Sequence, residues 1–270
     1  MNDKPVLKEI DSIIHEKLFT ICILASRQDE LDSVTTSAYQ AGFDETNSEY
    51  LYIDNISKNK YNAFDGLNHF LNKALGKYVI LVHQDVVFKF DTIDVLIQRI
   101  NEISKIDPNW AILGNTGYDI NNTTIQYTRI TDPGQNNCSN GPFPSKVSCV
   151  DENIMIVKND LNLMFSSNIG HYHLYGADLS LCAYNMGYST YVIDFHILHK
   201  SGGFPNQSFY DTKDRMITQY QKSMKNIFFR TPCTMIFISS TKLLNTIMNT
   251  KTIYSLKKRY DTIKNKFINK

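Results

Sequence analysis

The chain holds one tryptophan, five scattered cysteines and no long apolar run among its 270 residues. Each shortage excludes something. Cys22, Cys138, Cys149, Cys182 and Cys233 are odd in number and lack CxxC or CxH spacing, which argues against a disulfide framework or a thiolate zinc site and points to a reducing compartment. Apolar stretches such as Ile21 to Ala25 and Tyr78 to Val82 fall far short of the ~20 residues a spanning helix needs. The opening Met1-Asn2-Asp3-Lys4-Pro5 has no apolar stretch behind a basic one, so neither secretion nor a membrane anchor is expected. Glycine is missing from Ala25-Ser26-Arg27-Gln28-Asp29, which disfavours the glycine-rich phosphate loop of a nucleotidyltransferase. Acid is nearly missing from the tail: beyond Tyr220, Asp261 alone opposes Lys222, Lys225, Arg230, Lys242, Lys251, Lys257, Lys258, Arg259, Lys264, Lys266 and Lys270. That stretch is where an anionic partner would bind.

What is present reads as an ordinary folded chain, 42% hydrophobic and 20% charged. Short apolar runs at Phe19–Ala25, Tyr50–Ile53, Tyr78–Val82 and Ala111–Leu113 read as buried strands. Between them lie helix-like segments. One runs from Tyr61 to Leu75 with Gly76 as its stop; another carries Ile93, Leu96, Ile97, Ile100 and Ile103 behind Asp91 as an expected N-cap. Strands alternating with helices argue for an α/β fold with a mostly parallel central sheet flanked by helices, whose sites lie at the carboxyl ends of strands. Arg27, Asp54 and Asp85 each follow such an end. Residues 117–148, rich in Asn, Thr, Gly and Pro, read as a long irregular loop. Order returns with a strand at Asn153–Val157, a helix near Ala177–Met186 and a strand at Tyr191–Ile193. Leu244, Ile247, Ile253, Leu256, Tyr260, Ile263 and Phe267 trace an apolar stripe through the basic tail, so amphipathic helices are expected there.

The sharpest chemical feature is Leu81-Val82-His83-Gln84-Asp85-Val86, a buried strand ending in His and Asp two positions apart. Strand alternation turns both to one side, a disposition suited to a divalent cation, although a loop-capping Asp and a core His would give the same pattern.

With Asn68, Ala74-Leu75-Gly76-Lys77-Tyr78 and this His-Gln-Asp-Val run in that order, the chain resembles the family 2 glycosyltransferases of the GT-A fold. The likeness is to the bacterial surface-polysaccharide (O-antigen or capsule) type and covers roughly Phe19 to Gly203. Phe70 departs from the family's usual glycine. The resemblance implies a Rossmann-like catalytic domain over 1–210, with a nucleotide-binding half near 17–115 and an acceptor half near 116–210. A basic helical extension over 211–270 follows.

The same resemblance implies residue roles. Ile53-Asp54-Asn55-Ile56-Ser57 is similar to the segment that contacts base or ribose, which makes Asp54 a donor-binding candidate; an Asx-turn uses the same residues. Ser26, Arg27, Asn68, His83, Gln84, Asp85 and Asp151 complete the donor-binding set. Tyr175-Gly176-Ala177-Asp178 is similar to the segment that supplies the catalytic base, with Ala177 where relatives carry Glu. Asp178 is therefore the catalytic candidate; a helix N-terminal carboxylate is the ordinary alternative. His199, in His196-Ile197-Leu198-His199-Lys200-Ser201-Gly202-Gly203, is expected to join Asp85 as a metal ligand. Imidazole in the shell favours Mn²⁺ over Mg²⁺.

An inverting glycosyltransferase is the reading that follows, cytoplasmic or peripheral on the inner face of the cell membrane. Its expected partners are a nucleotide-sugar donor, UDP favoured, and a saccharide acceptor carried on a lipid such as undecaprenyl diphosphate, with no nucleic acid. A non-catalytic nucleotide- or carbohydrate-binding module and a sugar nucleotidyltransferase are the alternatives.

Overall fold

The structure is a computed structural model and describes residues 14–203, 206–223, 226–230 and 234–268. Met1–Pro5, Lys225, Cys233 and Lys270, and the side chains of Lys222, Lys266 and Phe267 in the tail, lie outside that description. The described chain divides into two units, residues 1–213 and 214–270.

The first unit is built on β1 (Lys17–Ala25), α1 (Gln28–Gln40), β2 (Ser48–Asp54), α2 (Ala63–Lys73), β3 (Gly76–Val82), β4 (Val86–Val87), α3 (Ile93–Ile106) and β5 (Trp110–Gly114). Then come β6 (Thr116–Asp119), β7 (Gln126–Asp132), β8 (Gln135–Asn140), β9 (Ser145–Val150), β10 (Ile154–Lys158), α4 (Tyr175–Asn185), β11 (Ser189–Val192), β12 (Ile197–His199) and the start of α5 (Gln207–Ser223). Strand β1 alternates by face: Phe19, Ile21 and Ile23 join Val34 and Ala38 of α1 and Leu96, Ile100 and Ile103 of α3 in one buried cluster. Burial of these branched and aromatic side chains drives the layering.

Twelve strands form one sheet in the order β2-β1-β3-β10-β5-β11-β9-β6-β7-β12-β4, with β8 on β7. The expected parallel arrangement holds for β2, β1 and β3. Elsewhere the sheet is mixed, because β10 runs antiparallel to both β3 and β5, and β9, β6 and β7 pair antiparallel. Although β4 follows β3 after three residues, it lies at the far end of the sheet, against β12. The sheet therefore curls, and the link 83–85 joins its third strand to its last.

Three local expectations are corrected. Residues 117–148 contribute most of β6 to β9 rather than a loop; β8 is exposed along nearly its whole length, so its polar composition reflects solvent contact rather than irregular backbone. Gly76 opens β3 instead of ending α2, which stops at Lys73 with Ala74 as C-cap. A Cβ at Gly76 would sit 2.5 Å from Phe19 C and Thr20 N, so the passing β1 backbone requires glycine there. Thr92, not Asp91, precedes α3 as N-cap; Asp91 instead accepts the His196 backbone N–H at 2.6 Å.

The second unit comprises the rest of α5, a hairpin of β13 (Ile227–Arg230) and β14 (Met235–Ile238), and helices α6 (Lys242–Met248) and α7 (Lys251–Ile268). The hairpin was not legible as strand beside the expected helices. No helix among the described residues is long and apolar enough to cross a membrane.

Candidate active site

The link between β3 and β4 is a tight turn. His83 N–H donates to Asn153 O at 3.0 Å, continuing the β3–β10 pairing, and Val86 N–H donates to His83 O at 3.2 Å. Gln84 is spent on anchorage: its Oε1 accepts from the backbone N–H groups of Ser26 and Arg27 at 2.8 and 3.0 Å, and its Nε2 donates to Ser26 Oγ at 2.7 Å. The turn is thus tied to the β1–α1 loop. Strand β12 comes alongside because His199 pairs with Val86, and Lys200 N–H donates to Asp85 O at 2.9 Å.

The curl of the sheet gathers His83, Asp85 and His199, whose ligand atoms all lie within 4.8 Å of one another. His199 Nε2 and His83 Nδ1 stand 3.5 and 3.8 Å from Asp85 Oδ1. Ligands at 2.0–2.2 Å from one ion are up to about 4.3 Å apart, so small side-chain adjustments fit this donor set to a divalent cation. The other ring nitrogens are occupied: His199 Nδ1 lies 2.9 Å from Asp132 Oδ1, and His83 Nε2 is hydrogen-bonded to the Tyr175 hydroxyl at 2.5 Å. Such partners orient a ligating imidazole.

Electrostatics agree with that use. Burial acts to raise the Asp85 carboxyl, but hydrogen bonds from His199 and Ser201 and the two imidazoles outweigh it and hold the group well below the usual carboxylate range. Burial acts to lower His199, yet Asp85 and Asp132 together raise it. For His83 burial prevails over Asp85 and lowers the pKa, which keeps that imidazole neutral. One carboxylate with two imidazoles leaves a bound dication with net positive charge, an arrangement suited to an anionic ligand.

His83 and Asp85 open on a cavity of about 530 Å³. Its apolar wall is Leu24, Ala63, Leu67, Leu81 and Val82, and Asn55, Asn59, Tyr172 and Glu152 supply polar groups. Asn55 is held by its own loop, accepting from Lys60 N–H and donating to Tyr61 O. Tyr172 reaches from the segment before α4 to Asn59 and to Tyr61 O. Glu152 is half-buried, and its Oε1 accepts the Gly176 N–H at 3.1 Å. Burial raises its carboxyl to about 8 against the opposing backbone hydrogen bonds. A carboxyl near neutrality facing a cavity can exchange protons with a bound hydroxyl.

Ser26, His83, Gln84 and Asp85 of the expected set line this cavity, and His199 completes the cluster with two of them. The others do not line it. Arg27 is exposed and paired with Asp29 and Glu30. Asp54 makes the Asx-turn, accepting from Ile56 N–H at 2.9 Å, and pairs with Lys60 at 3.6 Å. Asn68 is buried with its amide clasped to both backbone groups of Phe165. Asp151 takes the Asn153 backbone and side-chain N–H groups. Asp178 is fully buried, and Ser166 N–H and Oγ–H donate to its two oxygens at 2.7 and 2.8 Å. Its carboxylate faces Ser166 rather than the cavity.

Glu152, Tyr175 and Asn55 line the cavity and Asp132 stands behind His199, and none of the four was named as a candidate from the sequence. Glu152 stands beside Asp151 at a strand entry, where the residue next to a candidate carries equal weight. Asn55 follows Asp54 in the same short motif. Tyr175 opens the same quoted segment as Asp178, and Asp132 gave no signal short of the sheet's curl.

No family model matches the chain. It is 28% identical over 225 residues to a Fuscovulum blasticum protein named "ATP synthase subunits region ORF 6", covering 80% of this chain and 90% of that one. Among solved structures it is similar to the mannosyltransferase PcManGT from Pyrobaculum calidifontis in complex with GDP-Man and Mn²⁺, at 12% identity and a TM-score of 0.50, covering 86% of this chain and 70% of that. It is also similar to GalNAc-T7 with UDP, GalNAc and Mn²⁺, at 8% identity and a TM-score of 0.51, over 75% of this chain and 48% of that. The fold is the GT-A glycosyltransferase fold: a curled α/β sheet flanked by helices.

Proposed function

We propose that the protein transfers a glycosyl group, with inversion, from a nucleoside-diphosphate sugar to a hydroxyl of a saccharide acceptor. The observation that carries this reading is the His83–Asp85–His199 cluster at the carboxyl end of β3, opening on a cavity with one further carboxyl, Glu152, in a GT-A fold. A divalent cation held by these three residues would supply neutralisation of the charge that develops on the departing diphosphate. The two imidazoles favour Mn²⁺ over Mg²⁺, and Mn²⁺ is the ion in the PcManGT and GalNAc-T7 complexes.

The apolar wall and the Asn55–Asn59–Tyr172 rim hold the nucleoside, and Gln84 fixes the β1–α1 loop beside it. Glu152 replaces Asp178 as the base: it takes the proton of the attacking hydroxyl, a contribution of roughly 10²–10⁴-fold. Among the described residues it is the one carboxylate besides Asp85 that lines the cavity, and a single base without a covalent nucleophile gives inversion. UDP is the favoured donor nucleotide, on the sequence resemblance. The resemblance also supports a lipid-linked saccharide acceptor in surface-polysaccharide assembly, and a catalytic domain ending near residue 210.

Calorimetric titration of UDP, GDP, CDP and dTDP with and without Mn²⁺, into the native protein and Asp85→Ala, tests the proposal. Metal-dependent binding of one nucleotide, abolished by the substitution, is expected. Failure of all four to bind would reject the donor class. A non-catalytic nucleotide-binding module is the second reading, favoured by Ala177 and the enclosure of Asp178; binding without any transfer or donor hydrolysis would select it. The nucleotidyltransferase alternative loses ground because the Ser26 and Arg27 N–H groups already serve Gln84.

A further inference from the structure

The second unit exposes apolar side chains on each of its elements. In the hairpin, Ile227 pairs directly with Ile238, so the two share a face, and Ile236 lies on it two residues on; all three are exposed. The opposite face is used internally: Phe228 and Phe237 pack with centroids 4.8 Å apart, and Lys257 of α7 lies over the Phe228 ring. Helix α6 is clasped to β14 by two asparagines. Asn245 bonds both backbone groups of Ser239, and Asn249 bonds both of Phe237. Leu243 and Ile247 are nevertheless left facing outward.

Helix α7 repeats the arrangement. Leu256, Tyr260 and Ile263, each more than half exposed, fall at i, i+4 and i+7 on one stripe. At about 100° per residue, Arg259 and Lys264 border that stripe on its two sides. Both are exposed. In residues 214–270 the acids are Asp214 and Asp261 alone, and every other charged side chain is Lys or Arg. Apolar stripes edged by cations match a surface of hydrocarbon beneath anionic headgroups, where long cationic side chains snorkel outward. Scattered exposed residues need no explanation, but aligned ones bordered by a single sign of charge do.

We propose that the second unit docks on an anionic lipid surface, through the Leu256–Tyr260–Ile263 stripe flanked by Arg259 and Lys264. This goes beyond the donor cavity and stands whether or not that cavity takes a nucleotide sugar. The test is flotation of the full chain with vesicles of phosphatidylcholine alone or mixed with phosphatidylglycerol, at low and high salt. Binding to the anionic vesicles that weakens with salt is expected, with little binding to phosphatidylcholine alone. Each interfacial cation contributes roughly fivefold, so R259S/K264S should lose roughly 30-fold. Leu256→Glu/Ile263→Glu should abolish flotation, with melting curves like the parent's showing that both variants fold. No enrichment on anionic vesicles, or flotation unchanged by both double variants, overturns the proposal. A concentration-dependent dimer broken by Leu256→Glu/Ile263→Glu, without vesicle binding, would give the surface to a second copy of the chain instead.

Discussion

His199 Nε2 stands 3.5 Å from Oδ1 of Asp85, while its Nδ1 lies 2.9 Å from Asp132 at the end of β7. The imidazole is thus held between two carboxylates, one inside the cluster and one behind it. If Asp132 orients the ring, Asp132→Asn should weaken Mn²⁺ binding in the presence of UDP by roughly 10–100-fold, and His199→Ala by more. Electron paramagnetic titration of free Mn²⁺ reads both. An unchanged Mn²⁺ affinity in Asp132→Asn would leave Asp132 a purely structural partner.

Glu152 gives opposite pH signatures for stability and for rate. Its folded-state pKa is raised from 4.5 to about 8, so between those values the folded protein keeps a proton that the unfolded chain has released. Stability therefore falls as pH rises through that window. Glu152→Gln removes the decline, and thermal melts at pH 5, 7 and 9 should show the variant gaining on the parent as pH increases. The transfer rate of the parent should rise with pH toward a limb near 8, whereas Glu152→Gln should lose roughly 10²–10⁴-fold and the limb with it. A variant that keeps the parent's pH–rate profile would exclude Glu152 as the base.

Asp178 separates a structural carboxylate from a catalytic one. Removing it takes the acceptor from the half-buried Ser166 N–H and hydroxyl, at up to about 1–3 kcal/mol for each group that water does not reach. Asp178→Ala should therefore melt at clearly lower temperature while retaining kcat within a few-fold when assayed well below its transition. Loss of rate at unchanged stability would restore the catalytic role that the sequence suggested.

The contrast between Asp178 and Glu152 shows what the sequence could and could not convey. Strands β1, β2, β3 and β5 and helix α3 were legible because continuous apolar runs and a 3.6-residue period report burial directly. The His83–Asp85 pair was legible for the same reason, since it closes such a run. The strands of 117–148 were hidden because β8 is solvent-exposed and carries no apolar alternation. Asp178 and Glu152 could not be told apart for a different cause. Either carboxylate suits a base, and only the tertiary fold decides which is sealed against Ser166 and which faces the cavity. Contacts such as His199 with Asp132 depend on the sheet's curl, which antiparallel insertions set and local pattern does not encode.

Gly176 tests the support of Glu152 without touching the carboxyl. It is the second residue of α4, and alanine in a helix is ordinarily favoured over glycine by about 1 kcal/mol. Propensity alone thus predicts that Gly176→Ala stabilises the protein. Its Cβ, however, would lie 2.7 Å from Val150 O and 3.1 Å from Glu152 Cγ, and the nearer obstacle is backbone that cannot rotate away. Overpacking of this kind costs roughly 1–3 kcal/mol, which exceeds the propensity gain. The variant should melt below the parent. Because the Gly176 N–H is also the donor to Glu152 Oε1 at 3.1 Å, displacement of α4 weakens a bond that favours the ionised carboxyl. The limb of the pH–rate profile should then move above 8. A melting point at or above the parent's, with an unmoved limb, would mean that Val150 and Glu152 yield freely and that the close approach of α4 does not position the base.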